Sequence, residues 1–327
     1  APHRQAAHMT TPRTSLSART LIVGSGFVGT GIARRLARAG DDVTLVSRGR
    51  PATPPEEYGA RWSALDATDA EACGRLLARS RPERIVLVHG PSDVTWCEEH
   101  PEEADAAHAA VTANIAAYAD ASRIVMISTD NVFDGHAWHN TERTPVSPAN
   151  AYGRAKRHAE RLLLGSAPRA VCLRVSLVYG HEPADAGKWL NFFAACAHRL
   201  ADGTPVEAPD DHWTTPVHVE DVAEVVAALL SAPDPLPPVL HLGGPDRVTR
   251  AEWAGVIAEA LGATPRLVVP VPKARSRYAS RPENACLVGE LLARLPATRA
   301  VPVRGVRAGA RDLAPAFPLR VGTLLEP

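Results

Sequence analysis

The sequence has 327 residues and a mass of 34.8 kDa, enough for a nucleotide-binding domain and a smaller companion. Hydrophobic residues make up 45% and charged residues 22%, which excludes a disordered, collagen-like or coiled-coil chain. Lys plus Arg equals Asp plus Glu at 36 each. This balance argues against nucleic acid or an anionic membrane as a partner, because both favour a basic excess.

No apolar run reaches the roughly 20 residues that cross a bilayer, so we expect a soluble protein without a membrane partner. Residues 1–18 lack the apolar core of a secretory signal, and the internal Met9 predicts a tag remnant or disordered N-terminus. The five cysteines form no CxxC pair, and the 13 histidines show no recognised ligand spacing. We therefore expect a cytoplasmic protein without disulfides or bound metal.

Short β-branched runs alternate with Ala-, Leu- and Arg-rich stretches of helical spacing through the first half of the chain. This alternation is typical of parallel strands joined by crossover helices. A third strand is presumed before Asp66. We predict the other strands at Thr20–Gly24, Asp42–Ser47, Arg84–His89, Arg123–Ser128 and Arg169–Ser176, and helices at Phe27–Ala39, Asp69–Arg79, Glu102–Ala121 and Asn150–Leu164.

After Gly180 the chain becomes richer in Pro and Gly and has longer loops. The predicted fold is therefore α/β, with a doubly wound parallel sheet over residues 19–180 and a smaller C-terminal α/β lobe over residues 181–327. A helix at Val219–Leu230 and an apolar run at Val239–Leu242 predict that residues of about 217–245 return to the large sheet.

A glycine motif, Gly24-Ser-Gly26-Phe27-Val28-Gly29, lies between the first strand and the first helix. Gly24 permits a tight turn, Gly26 lets the backbone approach a pyrophosphate, and Gly29 allows close packing of helix on strand. The helix N-terminus then faces the phosphate charge. The motif predicts a Rossmann dinucleotide-binding site over residues 24–29.

The end of the second strand distinguishes between cofactors. An acidic residue there binds the ribose of NAD, whereas Arg48 after Ser47 can pair with the 2′-phosphate of NADP. We expect NADP(H). The alternative is that Arg48 and Arg50 are solvated loop charges. Asp66 can accept a hydrogen bond from the adenine amino group or cap the helix that starts near Asp69.

Tyr152 and Lys156 stand four residues apart on a predicted helix, so both side chains project from one face. A nearby Lys cation lowers the pKa of a phenol, and we expect Tyr152 to exchange a proton with a substrate oxygen near neutral pH. Thr129 ends the preceding strand, at the sheet edge where such folds bind ligands. It can hydrogen-bond the same oxygen. The alternative for a YxxxK pattern alone is an exposed surface pair.

The segments GSGFVG, STDNVFDG, PANAYGRAK and LRVSLVYG occur in this order, and together they resemble an extended short-chain dehydrogenase/reductase. Within that superfamily the chain is most similar to the dTDP-4-dehydrorhamnose reductase group, which has STDYVFDG at Ser128–Gly135. DDHWTTPVHVEDVA and RPENACL resemble the same group, so the resemblance extends from Thr20 to about Leu295.

The resemblance implies NADPH-dependent reduction of a 4-keto sugar attached to a nucleoside diphosphate. Thr129, Tyr152 and Lys156 match the family's catalytic residues: Tyr152 protonates the keto oxygen, Thr129 polarises it, and Lys156 holds the nicotinamide ribose and tunes Tyr152. The other residues expected to line the cofactor are His89, Gly90, Ser128 and Val175.

Three departures from the family pattern fall near the expected pocket. Asn131 replaces the tyrosine of STDYVF, and His108 stands where many relatives place an Asn. The segment around His89 and Gly90 is about two residues short, so these are approximate counterparts. The departures bear on substrate choice and on any proton relay through the helix of His108.

Side chains in or beside the second lobe are expected to hold the sugar nucleotide, because loops on a rigid scaffold carry binding and aromatic faces stack on bases. The alternative for each is lobe core, lid packing or a solvated charge. These candidate substrate-binding residues are Asn131, Leu177, Trp189, Asn191, Trp213 and Arg281.

Two other functions remain open. Sugar-nucleotide epimerases and dehydratases of the same superfamily share the glycine motif, Tyr and Lys, although Asn131 after Asp130 disfavours dehydration. The resembling group also includes the non-catalytic, NADP-binding regulatory subunit of methionine adenosyltransferase. Relatives are often dimers, so a homodimer is a further expectation.

Overall fold

The computed structural model describes residues 17–119, 121–185 and 188–320. Residues 1–16 of the predicted N-terminal segment lie outside these ranges. In chain order the strands are β1 (Arg19–Val23), β2 (Asp42–Ser47), β3 (Arg61–Ala64), β4 (Arg84–Leu87), β5 (Arg123–Thr129), β6 (Ala170–Val175), β7 (Val178–Tyr179), β8 (Val206–Pro209), β9 (Trp213–Thr214), β10 (Val217–His218), β11 (Val239–Leu242), β12 (Val248–Thr249), β13 (Val268–Val271) and β14 (Asn284–Ala285).

The α-helices alternate with the strands through the first half of the chain. They are α1 (Phe27–Arg38), α2 (Ala70–Ser80), α3 (Val94–Glu99), α4 (Pro101–Ala116), α5 (Ala151–Ser166), α6 (Phe192–Ala201), α7 (Val219–Ser231), α8 (Arg250–Leu261) and α9 (Val306–Leu313). None of the helices in the described ranges is long and apolar enough to cross a membrane.

Seven strands form one sheet in the order β11-β6-β5-β4-β1-β2-β3, and every neighbouring pair is parallel. The prediction of a doubly wound parallel sheet is confirmed. The strand order reverses between β1 and β4, which places a crevice at their carboxyl ends. The apolar run at Val239–Leu242 is the edge strand beside β6.

Helices cover both faces of this sheet, as its apolar strands require. On one face α1 and α7 contribute Ile32, Leu36 and Val222 to a core with β1 and β5. On the other face α2, α4 and α5 contribute a second set of buried side chains, which includes Leu77, Ile115 and Leu163. The sheet is therefore buried on both sides, and ligands can reach it only at its edges.

The remaining elements form a smaller lobe around a core of its own. Its aromatic centre consists of Tyr179, Phe193 and Trp253, packed between α6, α8 and α9. The short strands pair as β10-β7, β12-β9-β14 and β13-β8. This lobe stands against the carboxyl edge of β5 and β6, because the hydroxyl of Ser176 contacts Thr214 and Ala285.

Most predicted elements end within two residues of the observed ones, and the larger differences lie between β4 and β5. The helix predicted over Glu102–Ala121 ends at Ala116, and the short helix α3 before it was not predicted. Six residues are too few to show helical periodicity. The local signal is Asp93, whose carboxylate accepts hydrogen bonds from the backbone N–H groups of Thr95 and Trp96.

A buried ion pair ties α5 to strand β6 of the sheet. The carboxylate of Glu160 is fully buried and accepts two hydrogen bonds from Arg174, at 2.8 Å each, and one from Ser128 at 2.7 Å. These donors hold the pKa of Glu160 below its ordinary value despite burial. Arg174 is 2% exposed, so its charge depends on this carboxylate.

We predict that Glu160→Gln lowers the free energy of unfolding by about 3–5 kcal/mol, because Arg174 is then buried without a counter-charge. Urea unfolding at pH 7 measures the loss. Glu71→Gln is the control, because its pair with Arg75 is exposed and adds little. Equal losses for the two variants would contradict the interpretation.

The same ion pair makes stability depend on pH. Since the folded pKa of Glu160 is lowered, the contribution of this carboxylate to the free energy of unfolding is complete above the ordinary value of 4.5 and is lost as pH falls further.

Candidate active site

The glycine motif forms the turn between β1 and α1. Gly24 has φ +113°, and a Cβ there would lie 2.2 Å from the carbonyl oxygen of Val88, so a side chain at this position is excluded twice. A Cβ on Gly26 would meet nothing within 4 Å. Helix α1 has no side-chain cap and no acidic residue in its first turn. The backbone N–H groups of Phe27, Val28 and Gly29 are therefore available to an anion, which fits a pyrophosphate.

Two arginines, Arg48 and Arg50, follow the end of β2, and only Arg50 forms an ion pair in the described chain. Arg50 forms an ion pair with Glu56 and lies over the ring of Trp62. Arg48 is exposed, and it forms no ion pair with any residue that the structure describes. The hydroxyl of Ser47 accepts a hydrogen bond from Ser25 at 2.8 Å, which ties the glycine loop to this strand. Arg48 is thus the cation that can meet a 2′-phosphate.

Asp66 does not cap the next helix, because Asp69 does so by accepting from the N–H of Ala72 at 2.9 Å. One oxygen of Asp66 accepts two hydrogen bonds from Thr68, at 3.0 and 2.7 Å. These bonds lower the pKa of the Asp66 carboxyl, and the nearby charge of Arg48 adds to the effect. Asp66 is therefore an exposed carboxylate near Arg48, and its Oδ2 can accept a hydrogen bond from a ligand such as the adenine amino group.

The phenol of Tyr152 differs from its sequence-based prediction. Burial raises its pKa above the ordinary value, and the charge of Asp130 raises it further. The neighbouring Thr129 hydroxyl and Arg281 act in the opposite direction. The expectation that Lys156 lowers this pKa was wrong, because desolvation by burial is the largest effect and raises it. The phenol is thus protonated at neutral pH, which suits a proton donor.

Lys156 is 3% exposed, and its ammonium makes no hydrogen bond or ion pair within the described part of the chain. Burial lowers its pKa to about 8. A buried ammonium without partners is costly, so its surroundings fit a ligand that supplies acceptor oxygens. The hydroxyls of a nicotinamide ribose are such acceptors. This orphaned cation is the structural observation that best fits a bound dinucleotide.

The hydroxyl of Ser128 points to Glu160, on the opposite side of β5 from Thr129. Its side chain is therefore not available to a cofactor, contrary to expectation. Val175 ends the neighbouring strand β6 and is buried. His89 is buried, and desolvation holds its pKa well below the ordinary value, so the ring is neutral.

Gly90 and His108 fit together at the carboxyl end of β4. Gly90 has φ +88°, and a Cβ there would lie 2.2 Å from the ring of His108. The His108 Nε2 lies 3.0 Å from the carbonyl oxygen of Pro91, while its Nδ1 is buried without a partner. The two ring centroids of His108 and Tyr152 are 5.9 Å apart. His108, which departs from the family pattern, therefore lies next to Tyr152, the proposed catalytic tyrosine.

Asn131 was expected to contact substrate, but the structure assigns its side chain elsewhere. The residue is 3% exposed, and its amide bonds to Thr129, Asp130 and Asn150. Asn191 is likewise engaged, since it caps α6 and donates to the carbonyl of Gly180. Both corrections have one cause: a buried amide needs protein partners, and the local turns supply them.

The other substrate candidates lie in the smaller lobe. Leu177 packs against its core. Trp189 is 71% exposed, and the guanidinium of Arg277 lies 3.9 Å from its ring centroid. Trp213 is in strand β9, with the guanidinium of Arg247 3.8 Å from its ring. Trp189 is thus the most accessible of the aromatic candidates.

Arginines that face Asp130 carry the positive charge of the cleft. Arg281 and Arg250 both lower the pKa of the Asp130 carboxyl, although burial dominates and raises it to about 6. Arg250 is 2% exposed, and its Nε donates to Nδ1 of His212 at 3.0 Å. Neither arginine forms an ion pair among the described residues. Sequence reasoning missed Arg250, because an Arg at a helix start carries no distinctive signal.

Comparisons with known proteins show the family of the chain. A family model described as RmlD substrate binding domain matches residues 18–307. The chain is 29% identical over 267 residues to the probable low-salt glycan biosynthesis reductase Agl14 of Haloferax volcanii, covering 80% of this chain and 87% of the relative. It is 28% identical over 270 residues to a dTDP-4-dehydrorhamnose reductase of Mycobacterium tuberculosis, covering 79% and 81%.

A relative of another kind is the methionine adenosyltransferase 2 subunit beta of Rattus norvegicus, 28% identical over 234 residues, covering 69% of each chain. Among solved structures, a dTDP-4-dehydrorhamnose reductase from Bacillus anthracis in complex with NADP matches with a TM-score of 0.75 at 20% identity. The match covers 91% of this chain and 99% of that chain. At this identity the likeness concerns the fold.

The family match spans most of the described residues and contains the glycine turn, Thr129, Tyr152 and Lys156. These findings support the predicted NAD(P)-dependent oxidoreductase class and the resemblance drawn from the motifs. The chain therefore belongs to the RmlD substrate binding domain family, within the extended short-chain dehydrogenase/reductases.

Proposed function

We propose that the chain is an NADPH-dependent reductase that converts the 4-keto group of a nucleotide-linked, deoxy-type sugar to a hydroxyl, with Tyr152 as proton donor. The observation that carries the proposal is the unpartnered, buried ammonium of Lys156 one helical turn from the protonated phenol of Tyr152. Support comes from the relatives that are named as reductases.

When NADPH is bound, it supplies the hydride. Tyr152 delivers its proton to the keto oxygen, and the raised pKa of the phenol keeps that proton available at neutral pH. Thr129 donates a hydrogen bond to the same oxygen. Lys156 holds the ribose hydroxyls and stabilises the phenolate that forms when Tyr152 gives up its proton.

The substrate's diphosphate is assigned to the arginine side of the cleft. Arg281 and Arg250 are cations without ion pairs in the described chain, and they belong to the smaller lobe, which covers the proposed catalytic edge. Trp189 is assigned to the nucleoside, because its ring is exposed and a base can stack on it. This division places the sugar between the arginines and Tyr152.

Turnover of a keto sugar tests the proposal. We expect the chain to oxidise NADPH in the presence of dTDP- or UDP-linked 4-keto-6-deoxysugars, and Tyr152→Phe to lower kcat by about 100- to 10,000-fold through loss of the proton donor. Absorbance of NADPH follows the reaction. NADPH affinity of the variant, from fluorescence titration, should stay within about twofold of wild type.

The second candidate is a non-catalytic NADP-binding regulatory subunit, favoured by the similarity to methionine adenosyltransferase 2 subunit beta. A wild-type chain that binds NADPH but is inert toward the whole panel would support this function instead. An epimerase would be indicated by product formation with tightly retained NAD and without net cofactor oxidation.

Cofactor choice depends on Arg48 under this proposal. We predict that Arg48→Ala weakens NADPH binding about 10- to 100-fold and leaves NADH binding nearly unchanged, because a charge-assisted contact with the 2′-phosphate is lost. Arg50→Ala is the matched control, since Arg50 is already paired with Glu56. A wild-type preference for NADH would overturn the assignment of Arg48.

Lys156 gives the site a pH dependence. Its lowered pKa of about 8 means that the ammonium loses its proton as pH rises through this value, so NADPH affinity should fall about three- to tenfold between pH 7 and 9. Fluorescence titration across this range measures the change. Lys156→Met should bind weakly at every pH, without this dependence. The same pH profile in both proteins would assign the ionisation to another group.

A further inference from the structure

A run of buried amide hydrogen bonds joins the N-terminus of α5 to the hydroxyl of Thr129. The N–H of Gly153 donates to Oδ1 of Asn150 at 2.8 Å, which caps the helix. With its oxygen fixed there, Asn150 must turn its Nδ2 group the other way. That group donates to Oδ1 of Asn131 at 2.8 Å and to the carbonyl of Ser280 at 3.0 Å.

The same constraint fixes the amide of Asn131. Because its oxygen accepts from Asn150, its Nδ2 faces Oγ1 of Thr129 at 3.0 Å and Oδ1 of Asp130 at 2.8 Å. Rotating the amide by half a turn would set its oxygen against the carboxylate oxygen of Asp130 and its NH2 group against the NH2 group of Asn150. The orientation of Asn131 is therefore determined from both of its ends.

Thr129 is left with one way to interact. A hydroxyl has two acceptor lone pairs and one proton. The Nδ2 group of Asn131 and the backbone N–H of Asn131, at 3.1 Å, occupy the acceptor side. The proton of Thr129 points to Oδ1 of Asp130, at 3.2 Å, and the phenol oxygen of Tyr152 is a second neighbour of this hydroxyl. Both Asn131 and Asn150 are buried, at 3% and 1% exposure, so water does not compete for these bonds.

We propose that Asn150 and Asn131 are positioning residues that make Thr129 an obligate hydrogen-bond donor toward the keto oxygen of the substrate, with Asp130 as the resting acceptor of that proton. This role rests on the proposed reductase function. A keto oxygen only accepts, and it gains negative charge as hydride arrives. A hydroxyl that already donates needs no reorganisation at that moment.

Asp130 can release the Thr129 proton without becoming unsatisfied. Its Oδ2 accepts from the hydroxyl of Ser176 at 3.1 Å, and its Oδ1 keeps the amide of Asn131. Arg281 also faces this carboxylate. Transfer of the Thr129 hydrogen bond from Asp130 to substrate therefore exchanges one acceptor for another and leaves no buried group unpaired.

Asn150→Asp separates positioning from helix capping. The introduced carboxylate still accepts from the N–H of Gly153, since Asp and Asn are comparable caps, but it has no proton for Asn131. We expect kcat for the keto-sugar nucleotide to fall about 10- to 100-fold at a temperature where the variant is fully folded, with KM and NADPH affinity close to wild type. The thermal midpoint should also fall, because the new carboxylate faces two acceptor oxygens. A folded variant with wild-type kcat would overturn the proposal.

Asn131→Asp supplies a second measurement that a merely structural role would not move. When protonated, the introduced carboxyl can donate to Thr129, and when ionised it accepts the Thr129 proton instead. We expect kcat of this variant to approach wild type at low pH and to fall with an added ionisation as pH rises. Asn131→Ala should be slower than wild type without that ionisation. The charged and titratable groups facing this segment are Asp130, Tyr152, Arg250 and Arg281.

The outcomes separate this role from the function on which it rests. Wild-type turnover with kcat of Asn150→Asp and Asn131→Ala within about twofold of wild type would overturn the positioning role alone. Identical pH profiles for Asn131→Asp and Asn131→Ala would do the same, even where Asn150→Asp fails to fold. A wild-type chain inert toward every keto-sugar nucleotide would overturn the proposed function together with this role.

Discussion

Desolvation at the carboxyl edge of the parallel sheet is the constraint on which the site depends. Crossover connections bring the ends of β1, β4 and β5 to one edge, and the smaller lobe covers that edge. Buried polar groups at this edge form hydrogen bonds within the protein, or they are left to form them with a ligand. Among the groups at this edge without a partner in the described chain, the uncapped start of α1 and the ammonium of Lys156 mark proposed ligand positions, while Nδ1 of His89 and Nδ1 of His108 are also buried without a partner.

The same desolvation sets the protonation states. It raises the pKa of the Tyr152 phenol and lowers that of the Lys156 ammonium, so two pKa values that are ordinarily close move apart. The phenol begins as a proton donor, and the cation one turn away becomes more favourable as phenolate develops. Burial of Lys156 and Tyr152 is costly by itself, but it is matched to the charge that the proposed reaction creates.

Much of the fold was predictable, because periodicity and turn chemistry are local properties. The glycine motif, the strand ends and the YxxxK spacing each specify geometry within a few residues, and the sheet edge then brings Thr129 and Tyr152 together. The direction of the Tyr152 pKa shift was not predictable in this way. It depends on how much of the fold covers the phenol, whereas the sequence shows only that a lysine lies four residues away.

The substrate candidates show a second limit of sequence reasoning. Asn131 and Asn191 have the chemistry of binding residues, yet their amides are consumed by the protein, whereas Arg250 contributes charge from a position without a motif. Whether a side-chain amide binds a ligand or the protein itself is known only when its hydrogen-bond partners are known. Those partners also decide which end of the amide donates and which accepts.

This dependence on neighbours gives the Asn131 departure its meaning. The short amide of Asn131 donates to Thr129 with its nitrogen and accepts from Asn150 with its oxygen. A tyrosine at this position carries a single hydroxyl at the far end of its ring, so it cannot make both of these bonds. In this chain the amide links the helix cap to Thr129, and Gly153 permits the approach, because a Cβ there would lie 2.0 Å from the carbonyl oxygen of Asn131. Under the proposed function, replacement of the family's tyrosine changes how the Thr129 hydroxyl is oriented, while Thr129, Tyr152 and Lys156 stay the same.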